Sequence, residues 1–302
     1  MRKLIVPIYA MIALLMQSSH IFGQCPTETA ANLQEALKAP ECIRKLILKL
    51  NRLEYLSPEV GKLTGLELLD LQKNKLSYLP EELGSLTQTR QLILGHNQLK
   101  RLPSSIGQLR NLEVLFLDKN LLATIPSEVS GLQNLEVLDL SYNEFGSLPP
   151  AICHLQSLQV LQADFNQLLY LPEQIGRLKN LQFLNLSFNK LDALPGSIKS
   201  CAGLKELDLS DNRLEYLPEG IGQLRQLKFL AISNNRLKKL QSEIGNMDQL
   251  EYLILSNNQL SSLPKGIRKL KNLKTLIAID NQFSTKTKKK IRKWLPQTEV
   301  IL

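Results

Sequence analysis

Apolar and polar residues follow one another along this chain in a pattern that repeats every 23 residues. Its clearest marker is an asparagine that occurs in strict phase at eleven positions: Asn51, Asn74, Asn97, Asn120, Asn143, Asn166, Asn189, Asn212, Asn235, Asn258 and Asn281. Leucines usually stand eight, five and three residues before it, and an apolar residue stands two after it. Proline follows at plus six in eight of the eleven units, and Gly at plus ten and Leu at plus twelve in most of them. Such self-similarity predicts a repeat architecture.

Each unit predicts one short strand followed by a turn. A Leu-x-Leu pair such as Leu184 and Leu186 has the period of two that one face of a strand requires. Because similar units stack, these strands should pair in parallel, and the asparagine amides should form a ladder that satisfies backbone groups at the turn. Proline suits the return segment, where no sheet hydrogen bonds continue. Glycine at plus ten predicts a tight bend on the outer wall.

The pattern resembles the 23-residue leucine-rich repeat, LxxLxLxxNxLxxLPxxIGxL, in eleven units that span residues 43–284. The resemblance implies an α/β solenoid, a right-handed horseshoe with a concave parallel β-sheet. It also implies use as a protein-binding scaffold. The regular period and the ending IRKWLPQTEVIL look most like exported bacterial members of this family. Departures from the pattern are few, such as Thr89 at a leucine position and Gln241 at a proline position.

Both ends of the solenoid need a cap, because an end coil exposes apolar surface. At the front, residues 25–42 are predicted to form a cap with an amphipathic helix over residues 27–38. At the back, residues 285–302 are predicted to form a second cap, a helix followed by a strand. Ile291 and Leu295 lie four residues apart there, which places both on the helix face that covers the last coil.

Residues 1–24 have the features of a secretory signal peptide. Arg2 and Lys3 precede the thirteen-residue apolar stretch Leu4–Met16. This stretch is shorter than the ~20 residues that a membrane-spanning helix needs. We therefore expect an exported protein that is secreted, periplasmic or held at the cell surface.

The cysteines fall into two pairs with different expectations. Cys25 and Cys42 precede the repeats, seventeen residues apart. In an exported chain they are predicted to form a disulfide that contributes ~3 kcal/mol. Two alternatives remain open: two free thiols in the cap, or lipidation of Cys25 as the first mature residue. Cys153 and Cys201 lie two coils apart, on the order of 10 Å, which is too far for a disulfide.

The positive charge is concentrated near the C-terminus. The formal net charge is +9, but residues 265–293 carry eleven Lys and Arg and one Asp. The rest of the chain is therefore close to neutral, which argues against a nucleic acid partner. The cluster Lys286, Lys288, Lys289 and Lys290 is either a solvated face of the cap or a patch for weak contact with an anionic surface.

Residues six, four and two before each asparagine are predicted to line the concave face, because strand side chains alternate. The valines at minus six are explained by strand stability alone. Exposed aromatic residues beside acidic ones have the composition of interface hot spots. We therefore predict that a protein partner binds around repeats three to ten, at Phe116, Asp139, Tyr142, Asp164, Phe165, Phe183, Phe188, Asp208, Phe229 and Tyr252.

The sequence shows no arrangement of residues for catalysis. Cys153-His154 is an isolated pair without further metal ligands. The aspartates at minus four are spaced three coils apart, hence ~14 Å, too far for joint acid–base work. We therefore expect a monomeric, non-catalytic protein without metal or cofactor. Two alternatives to a protein-binding scaffold stay open: a cell-surface adhesin or receptor for glycan or matrix, and a periplasmic regulatory or structural factor.

Overall fold

The computed structural model describes residues 27–302 of the chain. Over this range the chain forms one open sheet of thirteen parallel strands, in the order in which they occur in the sequence. The predicted solenoid with a single parallel sheet is thus confirmed. The expected signal peptide, residues 1–24, lies outside the described residues, and so does Cys25. Export and the Cys25–Cys42 disulfide therefore stay predictions.

The strands are short and in register with the 23-residue period. In chain order they are β1 Thr29–Ala30, β2 Lys45–Ile47, β3 Leu68–Asp70, β4 Gln91–Ile93, β5 Val114–Phe116, β6 Val137–Asp139, β7 Val160–Gln162, β8 Phe183–Asn185, β9 Glu206–Asp208, β10 Phe229–Ala231, β11 Tyr252–Ile254, β12 Thr275–Ile277 and β13 Glu299–Ile301. Leu69 pairs with Leu92, and Leu115 with Leu138. These central residues are fully buried, so the flanking residues of each strand face the concave side.

The convex side consists of short 3₁₀ helices. Among the described residues these are η1 Pro58–Lys62, η2 Glu81–Ser85, η3 Ser104–Gln108, η4 Ser127–Gly131, η5 Pro150–His154, η6 Glu173–Arg177, η7 Gly196–Ser200, η8 Ile221–Gln223, η9 Ser242–Asn246 and η10 Lys265–Lys269. Most follow a proline, such as Pro103 with φ −67°, whose fixed φ suits the entry to the turn. At the first turn Ser57 replaces proline, and its hydroxyl accepts a hydrogen bond from the Glu59 N–H.

The glycines at plus ten serve close packing between coils, which corrects the expectation that they make a tight bend. Among the described residues, Gly220 is the glycine with a positive φ, and it is not at plus ten. A Cβ on Gly107 would lie 2.2 Å from the Glu128 carbonyl oxygen, and one on Gly222 would lie 2.0 Å from that of Glu243. Neighbouring 3₁₀ helices therefore approach more closely than a side chain would allow.

The asparagines join each coil to the preceding one. The Oδ1 of Asn166 accepts a hydrogen bond from the Phe145 N–H, and its Nδ2 donates to the Leu140 and Ala163 carbonyls. The same bonds recur from Asn74 to Asn281. Asn51 lies exposed in the first coil, where its backbone N–H donates to Asn74 Oδ1.

The N-terminal cap differs from the sequence prediction. Helix α1 covers only Leu33–Ala36, with Asn32 as its N-cap, and not residues 27–38. The residues before it form β1 instead. The physical reason is the exposed edge of β2, whose backbone groups need partners. The Glu28 carbonyl accepts hydrogen bonds from the N–H groups of Arg44 and Lys45.

The C-terminal cap consists of helix α2, Thr285–Trp294, followed by β13. The Ser284 side chain caps the helix by accepting a hydrogen bond from the Thr287 N–H. Ile291 and Leu295 are buried against the last coil. In the lysine cluster, Lys290 Nζ lies 4.8 Å from the centroid of the Trp294 ring, so one of the four lysines contacts an aromatic face.

Candidate partner-binding face

Three aromatic side chains form a continuous stack where successive strands end. The ring centroids of Tyr142 and Phe165 are 4.1 Å apart, as are those of Phe165 and Phe188, and the rings are within 9° of parallel. These side chains are 36–45% exposed. Lys119 Nζ lies 5.2 Å from the centroid of Tyr142 at one end of the stack. We call Tyr142, Phe165 and Phe188 the aromatic ladder.

The aromatic ladder occupies backbone positions that disfavour bulky side chains. The residue before each repeat asparagine has a left-handed backbone, with φ of 54° at Tyr142, 50° at Phe165 and 52° at Phe188. This conformation costs an L-residue other than glycine roughly 1–2 kcal/mol, and Asn or Asp tolerates it best. In later coils the position holds Asn234 and Asn257, which are hydrogen-bonded to each other at 2.7 Å. Aromatic residues here are therefore not a requirement of the fold.

A second apolar cluster, separate from the main core, covers the middle of the concave face. Val114, Val137 and Val160 are only 0–2% exposed, and Phe116 and Phe183 pack against them. Both phenylalanines keep part of their surface exposed. We call the three valines the valine stripe. Phe116 and Phe183 thus have a structural role as a cover for the stripe, in addition to any contact with a partner.

The remaining aromatic residues of the predicted footprint lie further along the sheet. The rings of Phe229 and Tyr252 are tilted by 46°, with centroids 6.4 Å apart. Glu206 pairs with Phe183 on one side and with Phe229 on the other. Burial raises the pKa of its carboxyl. The predicted aromatic residues therefore form three groups, and a partly buried glutamate that the prediction did not include lies between Phe183 and Phe229.

Three aspartates lie close together on adjacent coils beside the aromatic ladder. Asp139 ends β6, and Asp118 and Asp164 each follow the neighbouring strand by two residues. Strand spacing of ~4.8 Å brings these positions within range of one another. We call Asp118, Asp139 and Asp164 the acid row. The prediction included Asp139 and Asp164 but not Asp118, although Asp118 stands at the same repeat position as Asp164.

Burial shifts the acid row toward the protonated form. It raises the pKa of Asp139 to about 7, partly opposed by hydrogen bonds from Ser141 and reinforced by the charges of Asp118 and Asp164. It raises the pKa of Asp164 to about 6, with a further contribution from Asp208. The pKa values of Asp118 and Asp208 are also raised, mainly by burial. Ionised carboxylates here are costly because little water and few cations reach them.

The acid row has few neutralising contacts within residues 27–302. His96 Nε2 lies 3.7 Å from Asp118 Oδ2, but this contact is an ion pair only when His96 is protonated, and burial lowers the pKa of His96. Asp164 is 8% exposed, and its Oδ1 is buried without a hydrogen-bond partner. The described residues contain no group of His, Cys, Asp or Glu that could hold a metal ion. The row therefore offers buried carboxyl groups whose ionised form this part of the chain leaves largely uncompensated.

Two buried cysteines and a cavity at the first coil lie apart from the aromatic ladder and the acid row. Cys153 and Cys201 are buried free thiols, and burial raises their pKa values to about 12 and about 11. A cavity of about 270 Å³ lies at the first coil, lined by residues that include Leu33, Leu48 and Tyr55. No helix among residues 27–302 has the length and apolar character needed to cross a bilayer.

Protein-family models of leucine-rich repeats match most of this chain. The model described as "Leucine rich repeat" matches residues 42–99 and 110–168, and "Leucine-rich repeat region" matches residues 192–296. A further leucine-rich repeat model matches residues 180–201. This chain belongs to the leucine-rich repeat family. Its eleven in-phase asparagines and its parallel sheet are thus features of a known family of repeat proteins, and the recognition from sequence is confirmed.

Solved structures include several leucine-rich repeat proteins similar to this one. A leucine-rich repeat protein of Leptospira interrogans is 30% identical, with 91% of this chain and 100% of that chain covered and a TM-score of 0.47. A plant peptide hormone receptor in complex with RGF2 is 32% identical, with 80% and 39% covered and a TM-score of 0.69. The functional domain of internalin J from Listeria monocytogenes is 25% identical, with 80% and 50% covered and a TM-score of 0.67. This chain thus covers half or less of the length of the plant receptor chain and of the internalin chain. A comparison with curated proteins gives no match.

Proposed function

We propose that this protein is an exported, non-catalytic scaffold that binds a partner protein on its concave face. The observation that carries the proposal is the aromatic ladder, which is exposed, apolar and set in a strained backbone. Three left-handed aromatic residues cost ~3–6 kcal/mol in total. Stacking in the two aromatic pairs contributes a stabilisation of only ~1–3 kcal/mol. The ladder therefore has no clear benefit for stability, and strained exposed residues of this kind are found at binding sites.

The geometry of the ladder favours a protein partner over a glycan. Stacking on a sugar uses the face of an aromatic ring, but the inner ring faces are only 4.1 Å apart and cover one another. Lys119 lies over the outer face of Tyr142. Apart from the outer face of Phe188, what remains accessible is a row of ring edges, which suits the mixed polar and apolar surface of a protein. The plant receptor solved with RGF2 is a leucine-rich repeat protein in a complex, which supports this reading.

Export is the second component of the proposal. It is supported by the signal-like pattern of residues 1–24. The disulfide between Cys25 and Cys42 belongs to the same proposal. Protease treatment of intact cells distinguishes the destinations, because a surface protein is degraded and a periplasmic one is protected. Retention of the unprocessed chain in the cytoplasm would contradict export.

The test of binding compares two variants with the mature chain, residues 25–302. The variant Phe165→Asn/Phe188→Asn removes the stack and introduces residues that suit a left-handed backbone. The control Tyr216→Asn changes an aromatic residue that is 52% exposed and lies at plus four, away from the concave face. Partners captured by the mature chain are identified by mass spectrometry and purified for direct titration.

The outcome depends on how the two variants bind relative to the mature chain. We expect the double variant to unfold at an unchanged or higher denaturant concentration and to bind the purified partner at least tenfold more weakly. The control should bind normally. Equal binding by all three proteins would show that the ladder is not the contact surface, and the proposal would then be wrong.

A further inference from the structure

The charges of the acid row are not needed for the local hydrogen bonds that the aspartates make. Asp139 Oδ1 accepts hydrogen bonds from the N–H and the hydroxyl of Ser141, at 2.9 and 2.6 Å. Two coils later the neutral Asn185 accepts the same two bonds from Ser187, at 3.0 and 2.8 Å. Because an amide oxygen serves equally well in this turn, the negative charge of Asp139 has no structural purpose there.

The acidic side chain of Asp164 has even less of a structural explanation than that of Asp139. In neighbouring coils the position of Asp164 is held by Ser141 and Ser187, whose hydroxyls are satisfied within their own coil. Asp164 instead has a buried Oδ1 without a partner. A buried polar atom without a hydrogen bond costs ~1–3 kcal/mol, and more when it is charged. The protein therefore keeps two acidic groups, at a cost, where neutral side chains fit.

The nature of the missing counter-charge follows from the chemistry of the row. The described residues offer no group of three or more His, Cys, Asp or Glu that could hold a metal ion. A guanidinium is planar and presents five N–H donors in a fixed fork, and it loses less hydration energy on burial than an ammonium does. The adjacent aromatic ladder offers apolar surface for the aliphatic part of such a side chain.

We propose that the acid row is a subsite for an arginine side chain of the partner protein, with the guanidinium bound between Asp139 and Asp164. The inference rests on the proposed function, because it assigns the chemistry of the partner to that same face. Charge complementarity selects this occupant. The remaining acidic and basic groups that act on the row are Asp208 near Asp164, and His96 and Lys119 near Asp118.

The experiment uses the mature chain and a defined probe, the tripeptide acetyl-Gly-Arg-Gly-amide. Binding is followed by NMR of ¹³C-labelled aspartate carboxyl groups at pH 8. The probe with citrulline in place of arginine has a similar shape without the charge, and the probe with lysine has the charge without the fork. The test variant is Asp139→Asn/Asp164→Asn. The control is Asp70→Asn, since Asp70 Oδ1 accepts an equivalent hydrogen bond from the Gln72 N–H at 3.0 Å, far from the row.

We expect saturable shifts of the Asp139 and Asp164 carboxyl signals in the mature chain and in the Asp70→Asn control. The double variant should bind the arginine probe at least about tenfold more weakly, because charge-assisted hydrogen bonds are lost. Equal binding of the citrulline probe, or unchanged binding by the double variant, would overturn the proposal. Equal binding of the lysine probe would overturn the assignment to arginine.

Two further outcomes separate this inference from the function it rests on. If the purified partner binds the Asp139→Asn/Asp164→Asn variant normally but loses affinity for the aromatic double variant, the scaffold function stands and the arginine subsite is wrong. If the protein's own cap peptide, residues 285–294, binds the row more tightly than the arginine probe and the chain self-associates, the occupant is a second copy. The proposal of an arginine from another protein is then wrong.

Discussion

Replacing Asp139 by asparagine should stabilise the protein in a pH-dependent way. Asn185 shows that an amide makes the same hydrogen bonds in this turn, so the substitution changes charge with little change in shape. The pKa of Asp139 rises from an ordinary 3.8 to about 7 on folding. The folded state thus holds the proton more tightly, and its relative stability is greatest below pH ~4 and declines as the pH rises toward ~7.

The size of this effect follows from the shift in pKa. A change of one pKa unit corresponds to about 1.4 kcal/mol, so the rise at Asp139 sets an upper bound of roughly 4 kcal/mol at pH 8. Asp139 as a whole residue keeps part of its surface exposed, and its carboxyl is hydrogen-bonded by Ser141, so solvent screening reduces the value. We expect Asp139→Asn to raise the free energy of unfolding by ~1–2 kcal/mol at pH 8, and by much less at pH 4.

Urea denaturation of the mature chain and the variant at several pH values measures this difference. Subtracting the two curves at each pH cancels the titration of groups that both proteins share. The Asp70→Asn variant, which changes the same kind of turn outside the row, controls for the loss of a carboxylate in this turn. A difference that stays constant from pH 4 to pH 8, or that falls as the pH rises, would refute the assignment of the raised pKa to Asp139.

Three more predictions test the packing of the coils. Gly107→Ala should lower the free energy of unfolding by ~1–3 kcal/mol, because the new Cβ would lie 2.2 Å from a carbonyl oxygen of the next coil. The control Gly146→Ala, whose Cβ would have no atom within 4 Å, should be neutral or slightly stabilising in the same urea titration. Asn166→Ala should cost ~3 kcal/mol or more and increase hydrogen exchange in the coils on both sides, since it leaves buried backbone groups without partners. Cys153 and Cys201 should resist alkylation by iodoacetamide at pH 8 until the protein is unfolded, because burial raises their pKa values to about 12 and about 11; rapid labelling of the native chain would contradict this.

The sequence is informative wherever one residue type has one physical task in every coil. The asparagine period determines the strand register, so the pairing of Leu69 with Leu92 follows from counting residues. The minus-six valines were assigned to strand stability, and their burial beneath Phe116 and Phe183 agrees with that interpretation. The stacked geometry of the aromatic ladder could not be derived, because it depends on the left-handed backbone at each minus-one position.

Other features depend on contacts between coils that the pattern does not contain. The glycines at plus ten were interpreted as bends, whereas the constraint is the carbonyl of the neighbouring 3₁₀ helix. The N-terminal cap was interpreted as a helix over residues 27–38, because its amphipathic pattern does not show that the edge of β2 needs a partner. Asp118 was overlooked for a related reason: its closeness to Asp139 and Asp164 arises from stacking, not from its neighbours in sequence.

The asparagine hydrogen bonds determine the order in which the coils of the solenoid can be completed. Each side chain reaches back toward the N-terminus: the Phe145 N–H and the Leu140 carbonyl in one coil are both satisfied by Asn166 in the next. During synthesis, which begins at the N-terminus, a coil therefore cannot complete its hydrogen bonds until a further 23 residues have emerged. Throughout assembly the most recently formed coil therefore has unsatisfied backbone groups, and these are satisfied only when the next coil, or finally the C-terminal cap, packs against it.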